Sequence, residues 1–232
     1  MYADIVYPDK NEKSFIQIAE RLGYTALVFA YPFSDTIPEL PAAKKIKLLR
    51  AVDAPFSQLN KAKKMADFVF YRQDKNTLEV FERGLADVVY GFGMHERYDP
   101  IHQRASELNQ ILCRLAAKNK ISIGLSFRSF LSAPTKQQPS YLGRLAQNLL
   151  LCRKYKVPLV VGSFAQDPLE MRSPKDIISF FSLAGAHPNE VQQGMNDILT
   201  KMSEFSIQSL TGGTRFMFQH SENSEHAQEP LD

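Results

Sequence analysis

Short apolar segments alternate with amphipathic segments of helical period along this chain of 232 residues, and the alternation predicts an α/β fold. A chain of this length, 44% hydrophobic, suits one barrel of alternating strands and helices. We therefore predict a TIM-like (β/α) barrel, a single domain over 1–204 with seven or eight parallel strands. A C-terminal segment, 205–232, follows it, and its polar last dozen residues are expected to be disordered.

The predicted strands are rich in Val, Ile, Phe and Tyr, which is typical of strands buried on both faces. In chain order they cover 2–6, 25–30, 45–52, 67–72, 86–91, 121–127 and 158–163. An eighth strand would have to come from 205–219. Because strands and helices alternate, we expect the sheet to be parallel.

Helical periodicity is clearest in five segments, which cover 10–22, 101–118, 141–156, 173–185 and 189–202. Asp9 and Glu12 resemble a capping box before the first helix, and Gly23 is placed to end it. Ser173 is a candidate N-cap for a later helix, with Pro174 as its first residue.

Composition gives weak guidance about partners. The net charge of +3 and the pI near 8.7 are mildly basic, so charge placement has to indicate any nucleic-acid surface. The two cysteines, Cys113 and Cys152, lie among apolar neighbours and suit buried thiols in a reducing compartment. Since no signal peptide or membrane-spanning run is present in this sequence, we expect a cytoplasmic protein without a membrane partner.

The positions that follow each strand were searched for catalytic groups, because active sites of (β/α) barrels lie there. Only Asp9, Asp53 and His95 among them could hold a metal, and nothing in the sequence pairs them. The sequence has no P-loop and no nucleophile elbow. We expect no catalytic residue and no bound metal. A metal-dependent phosphoesterase using these three residues remains the alternative. Asp4, inside the first strand, is either a satisfied buried carboxylate or a functional group.

Three separated segments carry a family resemblance: ADIVYPD followed by LGYTALVFA, then LNQILCRLAAKNKISIGLSFRSFL, then VPLVVGSFAQDPLEMRSPKDIISFFSLAG. In order and spacing they resemble ribonuclease P protein component three, the archaeal relative of a thirty-kilodalton eukaryotic subunit, over roughly 2–202. That family is itself similar to the PHP metal-dependent hydrolases, whose first strand typically ends in a His-x-His pair of ligands. Val6 and Pro8 stand at those positions here, and neither binds metal.

The resemblance implies a non-catalytic subunit that helps a catalytic RNA remove the 5′ leader from precursor tRNA. The implied partners are the ribonuclease P RNA, precursor tRNA and a small RRM-like protein subunit. Magnesium is expected with the partner RNA and not on this chain.

A subunit of this kind needs Lys and Arg at loops and helix ends, where they reach phosphates. Our candidate RNA-binding residues are Arg114, Lys118, Lys120, Arg128, Arg144, Arg172 and Lys175. Arg144 is expected to point away from an apolar stripe of Leu142, Leu145 and Leu149. The alternative for each is an ordinary solvated cation, one complementing a helix dipole, or for Arg172 a pair with Asp176.

A second basic zone covers 44–47 and 61–64, for which a solvated surface is the simpler explanation. Phe127, Phe130 and Phe164 neighbour the basic candidates. They are candidates for stacking on unpaired bases, although aromatic residues at strand ends more often pack inside a barrel.

Overall fold

A computed structural model describes residues 1–34, 36, 38–66, 68–94, 99 and 104–210, with the backbone alone for 202–210. Seven strands form one sheet in the order of the chain, and every neighbouring pair is parallel. They are β1 Ala3–Val6, β2 Ala26–Pro32, β3 Lys47–Asp53, β4 Val69–Arg72, β5 Val88–Tyr90, β6 Ser122–Ser126 and β7 Leu159–Gly162. All seven predicted strands are confirmed, as is the parallel sheet.

Helices precede every strand after β1 except β3, and two more follow β7 in the described chain. They are α1 Glu12–Leu22, α2 Leu59–Met65, α3 Thr77–Arg83, α4 Gln110–Lys118, α5 Phe127–Ser132, α6 Gln138–Tyr155, α7 Pro174–Leu183 and α8 Pro188–Leu210. Each helix that precedes a strand ends near the amino end of the barrel, and each that follows a strand begins near the carboxyl end.

Two helix starts differ from the predictions. The side chain of Asn109 accepts hydrogen bonds from the amides of Ile111 and Leu112 and starts α4 there, so the predicted helix is wrong over 104–109; 101–103 lie outside the described residues. In α1 the N-cap position belongs to Asn11, so the expected capping box is wrong.

Other helix ends agree with the sequence. Gly23 ends α1 with φ 84°, a left-handed conformation that costs glycine little. Ser173 caps α7 in a reciprocal box with Asp176, and Pro174 is the first helical residue.

The core has two layers, because side chains alternate between the two faces of each strand. The outer layer packs the strands against the helices and includes Phe29 and Phe181. The inner layer fills the barrel and includes Phe70 and Phe164. Ile198 and Leu199 of α8 join this inner cluster, so the last described helix contributes to the barrel interior.

Asp4 links the first and last strands. Its carboxylate accepts from the amide of Ser163 at 2.6 Å and from the Ser163 hydroxyl at 2.7 Å. The amide of Tyr7 donates to the carbonyl of Ala165 at 2.8 Å, beside a single parallel bridge between Val6 and Ala165. Asp4 is therefore a satisfied buried carboxylate that draws the two sheet edges together.

The C-terminal part bears on the open question of an eighth strand. Residues 205–210, where such a strand would have to begin, belong to α8, and 211–219 lie outside the described residues. The predicted disordered tail also lies outside the described residues, and the boundary after 204, which α8 crosses, stays a prediction.

Cys113 and Cys152 are buried free thiols, as expected. Within the described part of the chain, a search for helices able to span a membrane found none.

Candidate nucleic-acid interface

Exposed cations lie where the C-terminal end of α6 meets the first half of α4. The ring of Tyr155 lies between the guanidinium of Arg114, 5.7 Å from its centroid, and the ammonium of Lys154, at 5.6 Å. The Tyr155 hydroxyl donates to the side chain of Gln110 at 3.2 Å. The Tyr155 side chain thus packs between α4 and α6, and Arg114 and Lys154 remain at the surface beside it.

The ends of the two helices add further charge. Because α4 precedes β6 and α6 precedes β7, their last residues lie at the amino end of the barrel. Five exposed side chains form what we call the amino-end patch: Arg114, Lys118, Lys120, Lys154 and Lys156. The structure thus brings three of the candidate residues together.

Two members of this patch adopt a backbone conformation that lysine disfavours. Lys120 and Lys156 both have φ 55°, whereas Gly23 and Gly84 occupy the corresponding left-handed positions after α1 and α3. A non-glycine residue pays about 1 kcal/mol or more there. The carbonyl of Lys120 accepts from the ammonium of Lys201 at 3.0 Å, which helps to hold that turn. Backbone preference therefore does not account for lysine at either position.

Arg128 and Arg172 lie at the opposite, carboxyl end of the barrel. Arg128 pairs with Glu170 at 2.9 Å and donates to the Ser132 hydroxyl at 3.2 Å. Arg172 covers the ring of Phe127 at 5.7 Å and donates to two backbone carbonyls of its own loop. Both guanidinium groups are half-buried and engaged within the protein.

The expected alternative partner of Arg172 is occupied elsewhere, because Asp176 accepts from the Ser173 hydroxyl at 2.7 Å. Lys175, in the first turn of α7, is exposed, as a phosphate-binding lysine needs to be.

Arg144 corrects a prediction. It is 3% exposed, and its guanidinium binds Asp99 at 2.6 Å and the carbonyl of Gly93 at 3.0 Å. The expectation that it faces solvent is wrong. The buried stripe of α6 consists of Tyr141, Arg144, Leu145, Asn148, Leu149 and Cys152. Arg144 lies three residues after Tyr141, so its position on the helix predicts a buried side chain, but its charge led to the opposite prediction.

The described residues include no group of three or more His, Cys, Asp and Glu side chains that could share a metal ion. Asp9 is exposed, Asp53 accepts a hydrogen bond from the Tyr90 hydroxyl, and His95 lies outside the described residues. Burial raises the pKa of Asp53, an effect that the Tyr90 hydroxyl partly offsets. Val6 is fully buried in the outer core.

The remaining candidates contact aromatic rings of the protein. Lys61, which is exposed, lies 5.8 Å from the ring centroid of Phe33. The rings of Phe127 and Phe130 pack against Phe180, with centroids 4.8 and 4.9 Å away. These two phenylalanines thus follow the packing alternative, which was the expectation for most aromatic residues at strand ends.

Comparison with known sequences points in one direction. The family model described as RNase P subunit p30 matches residues 98–204. The ribonuclease P protein component 3 of Methanosarcina mazei is 27% identical over 194 residues, which cover 80% of this chain and 79% of that protein. The protein of the same name from Methanothermobacter thermautotrophicus is 25% identical over 207 residues, covering 81% of each chain.

Comparison with solved structures gives the same fold. A chain in the cryo-EM structure of archaeal ribonuclease P with mature tRNA superposes with a TM-score of 0.73 at 18% identity, over 96% of this chain and 99% of that one. A crystal structure of an amidohydrolase superposes with a TM-score of 0.56 at 8% identity, over 89% and 75%. At these identities the likeness extends to the barrel fold.

Proposed function

We propose that the chain is a member of the RNase P subunit p30 family and a protein subunit of ribonuclease P that binds the catalytic RNA and assists removal of the 5′ leader from precursor tRNA. The observation that carries this proposal is the alignment with proteins named ribonuclease P protein component 3 over four-fifths of both chains. The superposition on a chain of archaeal ribonuclease P supports it through the fold.

In this proposal the protein contributes electrostatics rather than bond cleavage. The RNA and its magnesium ions carry phosphodiester hydrolysis, and the cations of this chain neutralise phosphates that repel one another in the folded RNA. The residues we propose for phosphate contacts are Arg114, Lys118, Lys120, Arg128, Arg172 and Lys175. Arg144 is left out because its guanidinium is buried against Asp99.

We place the main RNA contact at the amino-end patch. Its five cations are exposed on adjacent helix ends, whereas Arg128 and Arg172 at the carboxyl end are already bound to protein groups. Lysine at the two left-handed positions also favours this surface, because the side chain has to compensate for the backbone cost.

Reconstitution tests the function directly. Ribonuclease P RNA and the other subunits are assembled with and without this chain, and release of the 5′ leader from precursor tRNA is measured. We expect faster cleavage with the chain present, no cleavage by the chain alone, and RNA affinity that falls as salt rises. Cleavage that is indifferent to the chain, or turnover by the chain alone with a tightly bound metal, would contradict the proposal.

Matched glycine substitutions test the surface. The double variant Lys120→Gly, Lys156→Gly removes two charges and relieves two left-handed lysines, so the fold should be at least as stable while RNA binding weakens. The slope of log affinity against log salt should shrink by about 1.5 to 2. Lys10→Gly is the control, because Lys10 is exposed with φ 59° but lies in the loop before α1. Equal effects of the two changes on RNA binding would count against this location.

The small RRM-like subunit is proposed as protein partner. Leu169, in the loop before α7, and Leu183, the last residue of α7, are 79% and 86% exposed, and exposed apolar side chains of this kind are what a protein partner covers. Leu183→Asp should weaken co-purification with that subunit and leave isolated stability unchanged. A variant that still co-purifies in full would show that the partner binds elsewhere.

We also propose that the protein works in the cytoplasm, where its two buried thiols stay reduced.

A further inference from the structure

The carboxyl end of the barrel encloses a cavity that RNA binding at the amino end does not use. Its volume is about 730 Å³, within the range of small-molecule sites. Tyr7, Tyr90 and Phe164 form an aromatic floor with Asp53 beside them, and Arg72 and Arg128 stand at the rim. This combination of planar rings, a carboxyl group and guanidinium groups is more specific than an apolar gap left by packing.

The aromatic floor is tightly built. The rings of Tyr90 and Phe164 are 5.3 Å apart between centroids, and Tyr7 lies 6.3 Å from both. Phe164 has φ 54°, which is rare for a bulky side chain and costs on the order of 1–3 kcal/mol. Backbone strain of this kind concentrates at ligand-binding positions. Backbone energetics alone would favour glycine at position 164, so the phenylalanine there indicates a role in binding.

Polar groups of the cavity are oriented toward its interior. The Tyr90 hydroxyl donates to the Asp53 carboxylate, leaving the other carboxylate oxygen to accept a donor from a ligand. The hydroxyl of Tyr7 is buried beside Asp53 and Tyr90, but neither stands in good hydrogen-bonding geometry with it. A polar group of a ligand above the rings would complete the hydrogen bonding of this buried cluster.

The rim supplies cations to a ligand of the right length. Arg72 is exposed at the end of β4, and its side chain lies against Gly91, where a Cβ atom would come within 3.3 Å of Arg72 Cγ. Gly91, which has φ 92°, carries no Cβ atom and so leaves room for that arginine beside the cavity. Arg128 is shared with Glu170, so Arg72 is the stronger anion contact.

We propose that this cavity binds one unpaired nucleotide, with the base over Phe164 and Tyr90, an N–H of the base donating to Asp53, and the phosphate at Arg72. A nucleotide offers a planar ring, ring N–H donors and an anion in one group, which matches the three parts of the lining. The nucleotide comes either from a free mononucleotide or from an RNA strand. Only the second source rests on the proposed function.

Calorimetric titration and amide NMR of the full chain test the site. The probes are the four nucleoside 5′-monophosphates and a single-stranded hexanucleotide. We expect at least one mononucleotide to bind and to shift the amide signals of Gly91 and Phe164. Arg72→Ala should weaken binding about tenfold or more, as loss of a charge-assisted contact does. Arg21→Ala is the control, because Arg21 is an exposed arginine at the amino end, in the last turn of α1.

Asp53→Asn and Tyr90→Phe keep the shape of the site and should each weaken binding several-fold, with circular dichroism verifying the fold. Binding of the hexanucleotide but no mononucleotide assigns the RNA strand as source, and the reverse assigns the free nucleotide. Absence of both at about 10 mM, or binding that Arg72→Ala, Asp53→Asn and Tyr90→Phe all leave within twofold, overturns the inference. A chain that binds nucleotides here yet leaves reconstituted cleavage unchanged overturns the proposed function alone.

Discussion

The carboxylate that joins the ends of the sheet gives the protein a defined dependence of stability on pH. Burial raises the pKa of Asp4 from its usual 3.8 to about 6, although hydrogen bonds from Ser163 act in the opposite direction. Between these values the folded protein holds a proton that the unfolded chain has released, so this residue makes stability fall as the pH rises. The pKa difference corresponds to about 3 kcal/mol.

Asp4→Asn tests this reasoning, because the amide keeps the shape and hydrogen-bonding capacity of the carboxyl group but does not titrate. The free energy of unfolding is measured with urea by circular dichroism at pH 4, 5, 6 and 7 for both proteins. We expect the wild type to lose about 2 kcal/mol relative to the variant between pH 4 and pH 7, because part of the full difference lies below pH 4. A difference that stays constant over this range would refute the assignment.

Asp4→Ala separates the charge from the hydrogen bonds. It leaves the amides of Ile5 and Ser163 buried without their side-chain acceptor, whereas the Ser163 hydroxyl keeps the carbonyl of Ile5 as an acceptor at 3.4 Å. Each unsatisfied group costs about 1–3 kcal/mol. The variant should therefore be less stable than Asp4→Asn by about 2–6 kcal/mol at every pH. Equal stability of the two variants would mean that the seam between β1 and β7 depends on other contacts.

Three further predictions concern helix packing. Arg144→Ala should destabilise the protein by about 2–4 kcal/mol in urea, because it empties a buried site and removes the hydrogen bonds to Asp99 and to the carbonyl of Gly93, although Asp99 keeps Arg104 as a partner. Exposed Arg114→Ala should cost less than about 0.5 kcal/mol, and similar costs would contradict the burial of Arg144. Arg153 lowers the pKa of Glu190 to about 2, so Arg153→Ala should return this pKa toward 4.5 in an NMR titration. The substitution should also remove at most about 1 kcal/mol of stability, which the wild type itself loses as the pH falls below 4.5. An unchanged pKa of Glu190 would exclude Arg153 as the cause. Gly194→Ala should destabilise the protein by about 1–3 kcal/mol, because the added Cβ would lie 2.7 Å from Val161 where α8 packs on β7. The midpoint of thermal unfolding measures this, and an unchanged midpoint would show that α8 can shift to accommodate the methyl group.

The strands could be predicted from sequence because each is a short, continuous apolar run. Closure of the barrel could not, since Asp4 and Ser163 are 159 positions apart and neither carries a local signal of the contact. The start of α4 was missed for a related reason. The apolar periodicity continues through 104–109, and only the cap formed by Asn109 shows where the helix begins.

The candidate site was predictable in composition but not in arrangement. Charge and helix position correctly placed Arg114, Lys118 and Lys120 on an exposed surface. Charge also led to the wrong expectation for Arg144, because a buried arginine is rare unless paired, and its partner Asp99 comes from a distant loop. The cavity at the carboxyl end depends on the left-handed backbone of Phe164, for which phenylalanine gives no sequence signal.

The location of the amino-end patch can be judged by comparing two free energies. Helix C-termini meet at this end of the barrel, and a lysine there gains about 0.3–1 kcal/mol from the helix dipole at an exposed position. This gain accounts for Lys118 and Lys154, which lie in the last turns of α4 and α6. It does not exceed the cost of about 1 kcal/mol or more that Lys120 and Lys156 pay at φ 55°. Stability alone would favour glycine at both positions, as it also would at the left-handed Lys10 (φ 59°) beyond the other end of the barrel. The clustering of exposed cations, and not the backbone cost alone, is therefore what favours our proposal that a polyanion binds across the amino end.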